Sequence, residues 1–167
     1  NSYTYENETD NYWQDHYLMH YSKQLDNSAN FSLGLHYTKG KGYYEQFKSG
    51  EDFADYGLNN VTIGNDTLTE TDLIRRKWLD NDFYGAIFYY NNSVDKLDYT
   101  VGGGWNTYDG RHYGVVRWAE YASNGTIDHI YYDNDGIKTD FNIYAKGLYN
   151  YSDDITIYGD LQHRQID

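Results

Sequence analysis

The sequence contains no cysteine, no proline and a single methionine among its 167 residues. Without cysteine, neither a disulfide framework nor a cysteine-based metal site can form. Basic residues are also few, 13 against 26 acidic ones, and the net charge of −13 leaves no basic surface for the phosphates of a nucleic acid. No run of about 18 apolar residues occurs, which excludes a transmembrane helix but not the shorter alternating strands of a transmembrane barrel.

Tyrosine, glycine and aspartate are abundant instead. The chain has 22 tyrosines and 16 glycines, and 19% of its residues are aromatic, which argues against disorder. Twenty of the 26 acidic residues are aspartate. Aspartate is a poor helix former and is common in turns, so this composition favours strands and turns over helices.

Six segments alternate with a period of two, which is typical of strands with one apolar face. They cover residues 12–21, 31–43, 83–91, 97–106, 139–151 and 155–166. Small and polar residues occupy the opposite face, and we predict that the apolar face contacts lipid. The predicted lipid-facing residues are Phe31, Leu33, Leu35, Tyr37, Leu97, Tyr99, Val101, Trp105, Phe141, Ile143, Tyr149, Ile155, Ile157 and Leu161.

The connections between these segments alternate between short and long. Residues 22–30, 92–96 and 152–154 form short turns, whereas residues 44–82 and 107–138 form long loops. Outer-membrane barrels have short periplasmic turns and long extracellular loops. The sequence therefore predicts an all-β, antiparallel up-and-down meander of about six strands with two long loops, as part of a large transmembrane β-barrel. We expect the two long loops to lie together on one side and the three short turns on the other. A short helix capped by residues 69–72 is expected in the first long loop.

No arrangement of side chains predicts catalysis. His16 and His20 would lie about 13 Å apart along a strand, too far for one metal ion, and Asp133–Gly136 is typical of a turn rather than a calcium loop. Glu45 and Glu120 are the best candidates for a glycosidase pair, but no motif supports them. We therefore predict no enzyme activity, no catalytic residues, no metal and no cofactor.

The long loops are expected to bind ligand instead. Aromatic rings stack on sugars or planar ligands, and the negative net charge favours neutral glycans or planar chelates over phosphates. The basic cluster Arg75–Lys77 is expected to neutralise acids of its own loop. The candidate ligand-binding residues are Tyr43, Tyr44, Trp78, Tyr108, Arg117, Trp118 and Tyr121.

Four stretches resemble one family, the TonB-dependent outer-membrane receptors of Bacteroidetes. They read RRKWLDNDFYG (75–85), HYTKGKGYYE (36–45), GGGWN with YDG (102–106 and 108–110), and YYDNDG followed by KTDFNIY (131–136 and 138–144). The resemblance implies a 22-stranded barrel of the Gram-negative cell outer membrane, closed by a plug domain, that imports a ligand such as a siderophore, glycan or peptide with energy passed through TonB.

Residues 1–167 would supply a partial, mid-barrel β-barrel domain, with no visible plug domain or TonB box. The implied partners are outer-membrane lipid, the imported ligand, a surface lipoprotein, and TonB only through parts absent from this chain. Two alternatives stay open at this point. One is a soluble secreted β-sandwich that binds or hydrolyses carbohydrate, and the other is an adhesive surface protein.

Overall fold

The computed structural model describes residues 5, 8–121 and 124–167 of the chain. These residues form eight strands: β1 (Asp10–Gln24), β2 (Asn30–Asp52), β3 (Val61–Ile63), β4 (Asp66–Leu68), β5 (Glu70–Val94), β6 (Leu97–Ala119), β7 (His129–Asn150) and β8 (Thr156–Ile166). One turn of 3₁₀ helix, Phe53–Tyr56, follows β2. Among the described residues, no helix has the length and apolar character needed to cross a bilayer.

The strands form one large sheet and one small hairpin. The large sheet has six strands in the order β1-β2-β5-β6-β7-β8, and β3 pairs with β4 in a separate antiparallel hairpin. Each strand of the large sheet therefore neighbours the next one along the chain, apart from the inserted hairpin. The antiparallel meander of six strands predicted from the sequence is confirmed.

The strands extend much further than the apolar alternation indicates. The two longest connections cover only residues 53–69 and 120–128, because β2, β5, β6 and β7 continue through most of the predicted loops. Aromatic rings and ion pairs between neighbouring strands take the place of alternation there. Cross-strand pairs of these kinds stabilise a sheet although they do not give a simple hydropathy pattern.

Two local predictions are wrong because strands β5 and β7 extend through segments that were predicted to be loops. The segment expected to be a helix is the start of β5, where Thr71 and Leu73 are buried and Asp72 between them is partly exposed, as in a strand. Residues 133–136, interpreted as a turn, lie inside β7. The φ angle of Gly136 is not positive, so this glycine does not have the left-handed conformation that the turn requires.

The chain divides into two compact units. Unit 1 comprises residues 1–14, 40–81 and 110–136, and unit 2 comprises residues 15–39, 82–109 and 137–167. Both long connections belong to unit 1, whereas the short turns at residues 25–29, 95–96 and 151–155 all belong to unit 2. The long connections are therefore grouped in one unit and the short turns in the other.

Unit 1 contains a buried apolar cluster. Phe53, Tyr56 and Leu73 are at most 1% exposed, and Leu58 and Val116 pack with them. The 3₁₀ turn supplies two of these side chains, and its capping residue Gly57 has a φ of 63° that favours glycine. The connection 53–69 is therefore anchored on strands β5 and β6 by hydrophobic burial.

Polar contacts reinforce this cluster. The Arg75 guanidinium donates to the Tyr56 hydroxyl at 2.9 Å, and that hydroxyl donates to the carboxylate of Glu51. Burial, together with the hydrogen bond to Glu51, raises the pKa of Tyr56 to about 12. The phenol is therefore neutral at physiological pH and can serve as donor to Glu51 and acceptor from Arg75.

In unit 2 the usual relation between polarity and burial is reversed. Glycine and polar residues are buried, including Gly34, Thr38, Gly102 and Asp140. Many large apolar side chains are exposed, including eight that are exposed by between 37% and 55%. The exposed apolar face of unit 2 comprises Leu35, Tyr37, Val101, Trp105, Phe141, Ile143, Tyr149 and Ile157.

This exposed apolar face agrees closely with the residues predicted to contact lipid. Eleven of the 14 predicted residues are exposed, and the other three, Phe31, Leu33 and Tyr99, are half-buried. The cross-strand partners Tyr149 and Ile157 place side chains on this same face. Alternation therefore identified correctly which side chains of unit 2 share a face.

Glycines are required on the opposite face because neighbouring groups lie against the backbone. A Cβ atom at Gly102 would be 2.6 Å from the Tyr144 hydroxyl, and one at Gly85 would be 2.3 Å from the Trp105 carbonyl oxygen. Both distances are far shorter than a van der Waals contact. The small residues of this face therefore make room for tyrosine rings and for the backbone of adjacent strands.

Candidate ligand-binding site

Most of the predicted ligand-binding residues lie on strands and not in loops. Tyr43 and Tyr44 are in β2, Trp78 is in β5, and Tyr108, Arg117 and Trp118 are in β6. Only Tyr121 follows the end of a strand. Tyr108 also belongs to unit 2, whereas the other six belong to unit 1. The predicted loop location is therefore wrong, because the strands extend through most of the predicted loops.

The predicted residues do not form one site. Tyr43 and Tyr44 are successive residues of a strand, as are Arg117 and Trp118, so the members of each pair point to opposite sides of the sheet. Trp118 is 48% exposed. Tyr121 packs against the apolar cluster, and its backbone N–H donates to the Thr71 hydroxyl at 3.0 Å. Its role is structural in this arrangement.

Tyr43 and Trp78 are brought together in a row of rings on one face of unit 1. Their ring centroids are 4.6 Å apart, and Trp78 stacks on Tyr113 at 5.8 Å with an interplanar angle of 4°. The Arg76 guanidinium lies 4.2 Å from the Tyr43 ring centroid, and that of Arg111 lies 4.6 Å from the Tyr113 centroid. These stacked and cation–π contacts hold the rings in fixed positions.

The cations beside these rings are already neutralised. Lys41 pairs with Asp80 at 2.9 Å, and Arg111 donates to Asp133 at 2.8 Å, which lowers the pKa of that carboxyl group. Arg76 pairs with Glu45. This row of rings therefore offers little net positive charge to an anionic ligand.

The expectation that the basic cluster neutralises acids of its own segment is confirmed for two of its three residues. Arg76 pairs with Glu45, and Arg75 lies 3.8 Å from Glu51. Lys77 is different, since among the described residues its ammonium group has no carboxylate within ion-pair distance.

The two glutamates considered for glycoside hydrolysis have different surroundings. Glu45 is 6% exposed, accepts a hydrogen bond from the Tyr5 hydroxyl at 2.8 Å and pairs with Arg76. Glu120 is exposed, and its backbone N–H donates to the Asp72 carbonyl oxygen at 2.8 Å. Glu45 is therefore a buried partner of Arg76, and nothing in these contacts relates it to Glu120.

Glu45 also borders a polar cavity of about 590 Å³ in unit 1. Arg76 and Arg117 line the same cavity with Tyr43 and Asn11. Arg117 is engaged by Asp128, whose hydrogen bond raises the pKa of the guanidinium group. Both arginines of this cavity are thus paired with acids.

A second cavity of unit 1, of about 610 Å³, has more varied chemistry. Small-molecule sites have volumes of about 300 to 1,000 Å³, are largely apolar and contain a few polar groups that orient the ligand. We call it the tyrosine cavity. Its lining includes Asp10, Tyr12, Tyr44, Lys77, Trp78, His112 and Tyr132.

Strands β1, β2, β5, β6 and β7 each contribute to the tyrosine cavity, and glycines determine where two of its rings lie. A Cβ atom at Gly42 would be 2.4 Å from the Tyr12 ring, and one at Gly114 would be 2.3 Å from the Tyr132 ring. Each ring therefore lies directly on the backbone of an adjacent strand. Side chains at either glycine would displace the ring and change the wall of the cavity.

Hydrogen bonds and burial define the chemistry of the two rings. The Tyr12 hydroxyl donates to the Asn81 side-chain oxygen at 2.9 Å and accepts from Gln14 at 3.2 Å. Burial raises the pKa of Tyr132, so its phenol is neutral and able to donate. The cavity thus offers neutral aromatic surfaces together with the charged groups of Asp10 and Lys77.

Sequence reasoning found Tyr44 and Trp78 of this cavity but missed its other polar and aromatic walls. Tyr12 was assigned to a strand without a role, and Asp10 lies before the first predicted strand. Gly42 and Gly114 were the available signal, because a glycine inside a strand indicates close approach of another group. Identifying that group requires the pairing of strands.

The described residues contain no group of three or more histidine, aspartate or glutamate side chains that could hold a metal ion. His16 is in β1, where its ring nitrogen is 2.9 Å from the Thr38 hydroxyl, and His20 is on the same strand.

Comparison with protein-family models, with curated proteins and with solved structures finds no match for this chain.

Proposed function

We propose that this chain is a portion of a TonB-dependent outer-membrane transporter that binds a ligand and imports it. The observation that carries the proposal is the reversed burial of unit 2, where apolar side chains such as Val101 and Phe141 are exposed while Gly102 and Thr38 are buried. A surface of this kind is unfavourable in water. It is favourable when lipid covers the apolar side and a polar interior lies on the other side.

The edges of the sheet support the same proposal. β1 and β8 are the outer strands of the six, and every residue of both is exposed. Trp13, Tyr17, Leu18 and Met19 of β1 are between 50% and 67% exposed. Exposed edges of this length promote aggregation unless another strand pairs with them. Further barrel strands on both sides would cover them, in keeping with a mid-barrel portion.

The four longest strands are longer than a bilayer requires, and the excess length provides a region outside the bilayer for ligand binding. A membrane-spanning strand needs about 9 to 11 residues, whereas β2, β5, β6 and β7 have between 22 and 25. Each of these four strands contributes residues to both units. We assign the lipid-contacting part to unit 2 and ligand binding, outside the bilayer, to unit 1.

The location and partners follow from this proposal. The protein belongs in the cell outer membrane of a Gram-negative bacterium, with membrane lipid and the imported ligand as direct partners. TonB acts through parts absent from this chain, and a surface lipoprotein is a further proposed partner. A soluble β-sandwich is less well supported, since two sheets must pack face to face in that fold and the described strands form one six-stranded sheet with a small hairpin.

The test uses the absence of native cysteine. Single cysteines at consecutive positions 97–105 of β6, each carrying a nitroxide label, report accessibility to oxygen, which concentrates in lipid, and to a water-soluble nickel chelate. In the protein reconstituted in lipid vesicles, Val101→Cys should be accessible to oxygen and Thr100→Cys to the chelate, with the same alternation at neighbouring positions. High chelate accessibility at every position, with the protein soluble without detergent, would contradict the proposal.

The orientation has its own test. Thr126→Cys lies in the long connection of unit 1, and Asp153→Cys lies in a short turn of unit 2. A membrane-impermeant maleimide added to intact cells should label Thr126→Cys and should label Asp153→Cys only after the outer membrane is opened. The reverse result would place the long connections on the periplasmic side.

A further inference from the structure

The tyrosine cavity contains two opposite charges that have no partner among the described residues. Asp10 and Lys77 both line it. The neighbouring cations Arg75 and Arg76 both interact with glutamates, whereas Lys77 has neither an ion pair nor a side-chain hydrogen bond to a described residue. Asp10 likewise has neither. Lys77 is half-buried and Asp10 is exposed, so both charged groups are accessible to a ligand, and a ligand that neutralises them would gain charge-assisted hydrogen bonds.

Asp10 and Lys77 are separated by one intervening strand. Asp10 is on β1 and Lys77 is on β5, and β2 lies between these strands in the sheet. Neighbouring strands are about 4.8 Å apart, which separates the two strand axes by roughly 10 Å. An extended chain spans at most about 3.3 to 3.6 Å per residue. This separation of the two strands is close to the length of an extended peptide of about three residues.

The walls around these charges suit an apolar body with polar backbone groups. Tyr12 and Tyr132 present ring surfaces that their contacts with glycines hold in place. Tyr44 is on β2, the strand that lies between β1 and β5. The phenol groups and His112 can exchange hydrogen bonds with peptide N–H and C=O groups. His112 is the remaining titratable side chain of the lining besides the tyrosines.

We propose that the tyrosine cavity binds short zwitterionic peptides of two or three residues. The ammonium group lies at Asp10, the carboxylate lies at Lys77, and the side chains contact the tyrosine rings. This inference deepens the proposed function, on which it rests for the biological role of the site, by naming the class of ligand. It also departs from the expectation of a neutral ligand, since the ligand carries one charge of each sign.

The test compares three forms of one peptide, Ala-Phe-Ala, by isothermal titration calorimetry on the full-length protein in detergent. The forms are the free peptide, its N-acetylated derivative and its C-terminal amide. A charge-assisted hydrogen bond contributes about 1.5 to 3 kcal/mol, so the free peptide should bind at least about tenfold more tightly than either blocked form.

Variants assign each end of the peptide to its residue. Asp10→Asn should abolish the preference for the free peptide over the acetylated form and should retain the preference over the amide. Lys77→Met should do the opposite. Asp153→Asn and Lys23→Met, which are exposed positions of unit 2, serve as matched controls and should retain both preferences.

Three results would overturn the proposal. Equal affinities for the three peptide forms would remove the role of both charges, and an equal loss of both preferences in each variant would indicate a general structural effect. Lys77-dependent binding of digalacturonate in the absence of peptide binding would assign the cavity to acidic sugars. Since nitroxide accessibility tests membrane insertion separately, a protein that inserts but binds no peptide refutes only this inference.

Discussion

Units 1 and 2 use the same four long strands but bury opposite kinds of side chain. Unit 1 buries Phe53, Tyr56 and Leu73 almost completely. Unit 2 buries glycines and Thr38 and leaves Phe141 and Ile143 42% exposed. The comparison shows that strand alternation determines which side chains share a face, whereas the surroundings of the sheet determine which face is covered. In unit 1 the chain covers its own sheet with the connection 53–69, and in unit 2 we propose that lipid covers the apolar face.

The strongest test of this comparison removes a phenylalanine from each unit. Phe53→Ala should destabilise unit 1 by about 3 to 5 kcal/mol, because it leaves a cavity in the apolar cluster. Phe141→Ala should cost about 1 kcal/mol, because that ring is already exposed. Equilibrium unfolding in urea, with hydrogen exchange to locate the change, measures both. A larger effect for Phe141→Ala would mean that the apolar face of unit 2 is a protein core.

The next test introduces a charge on each face of β6. Val101→Arg is expected to destabilise the protein in lipid by about 2 to 4 kcal/mol, because Val101 lies on the exposed apolar face. Thr100→Arg, on the opposite face, should cost clearly less. Folding yield into vesicles at increasing urea concentration measures the difference. If Thr100→Arg proves the more damaging change, the assignment of the two faces is reversed.

A smaller effect is expected from adding single methyl groups. Gly85→Ala places a Cβ atom 2.3 Å from the Trp105 carbonyl oxygen and should destabilise unit 2 by about 1 to 3 kcal/mol. Gly159→Ala is the matched control, since no heavy atom lies within 4 Å of its Cβ position. The midpoint of thermal unfolding compares the two variants. Equal midpoints would show that the close approach at Gly85 does not contribute to stability.

The smallest effect concerns acid sensitivity of unit 1. The hydrogen bond from Tyr56, with help from Lys48 and Arg75, lowers the pKa of the Glu51 carboxyl group below its ordinary value. A carboxyl group with a lowered folded-state pKa stabilises the fold above its unfolded-state pKa, and this contribution is lost as the pH falls through the folded-state value. The protection of the amides of residues 53–58 against hydrogen exchange, measured relative to their intrinsic exchange rates at each pH, should therefore fall below about pH 4.3, the ordinary pKa of glutamate, by an amount equivalent to less than about 1 kcal/mol.

Glu51→Gln should make this loss of protection weaker, whereas the exposed Glu70→Gln should leave it unchanged. An unchanged pH dependence in Glu51→Gln would assign acid sensitivity to other groups of unit 1.

Prediction from sequence succeeded where a simple periodicity exists and failed where it does not. Leu35, Tyr37, Val101 and Trp105 were identified as one face, and they form one exposed face. A short helix was predicted because the capping sequence at residues 69–72 precedes Leu73 and Trp78, yet β5 begins at Glu70 and contains both. In that part of the sheet, Trp78 is held by Tyr43 and Tyr113 from the adjacent strands, and such contacts between distant residues leave no local pattern.

The candidate site shows the same limit. Tyr43 and Tyr44 were both predicted to bind ligand, but as successive residues of β2 they point to opposite sides of the sheet. The sequence did not predict that Asp10 and Lys77 line the same site. They are far apart in sequence, and only the order β1-β2-β5 places them two strands apart on one cavity.

The sequence by itself determined the class of fold, the order of the six long strands, the short turns and the apolar face of unit 2. These properties depend on composition, on a period of two residues and on chain order, all of which are local. Tertiary structure alone decided the full length of the strands, the apolar cluster around Phe53 and Tyr56, and the tyrosine cavity. Their stability comes from contacts between residues distant in the chain, and those contacts exist only after the strands have paired.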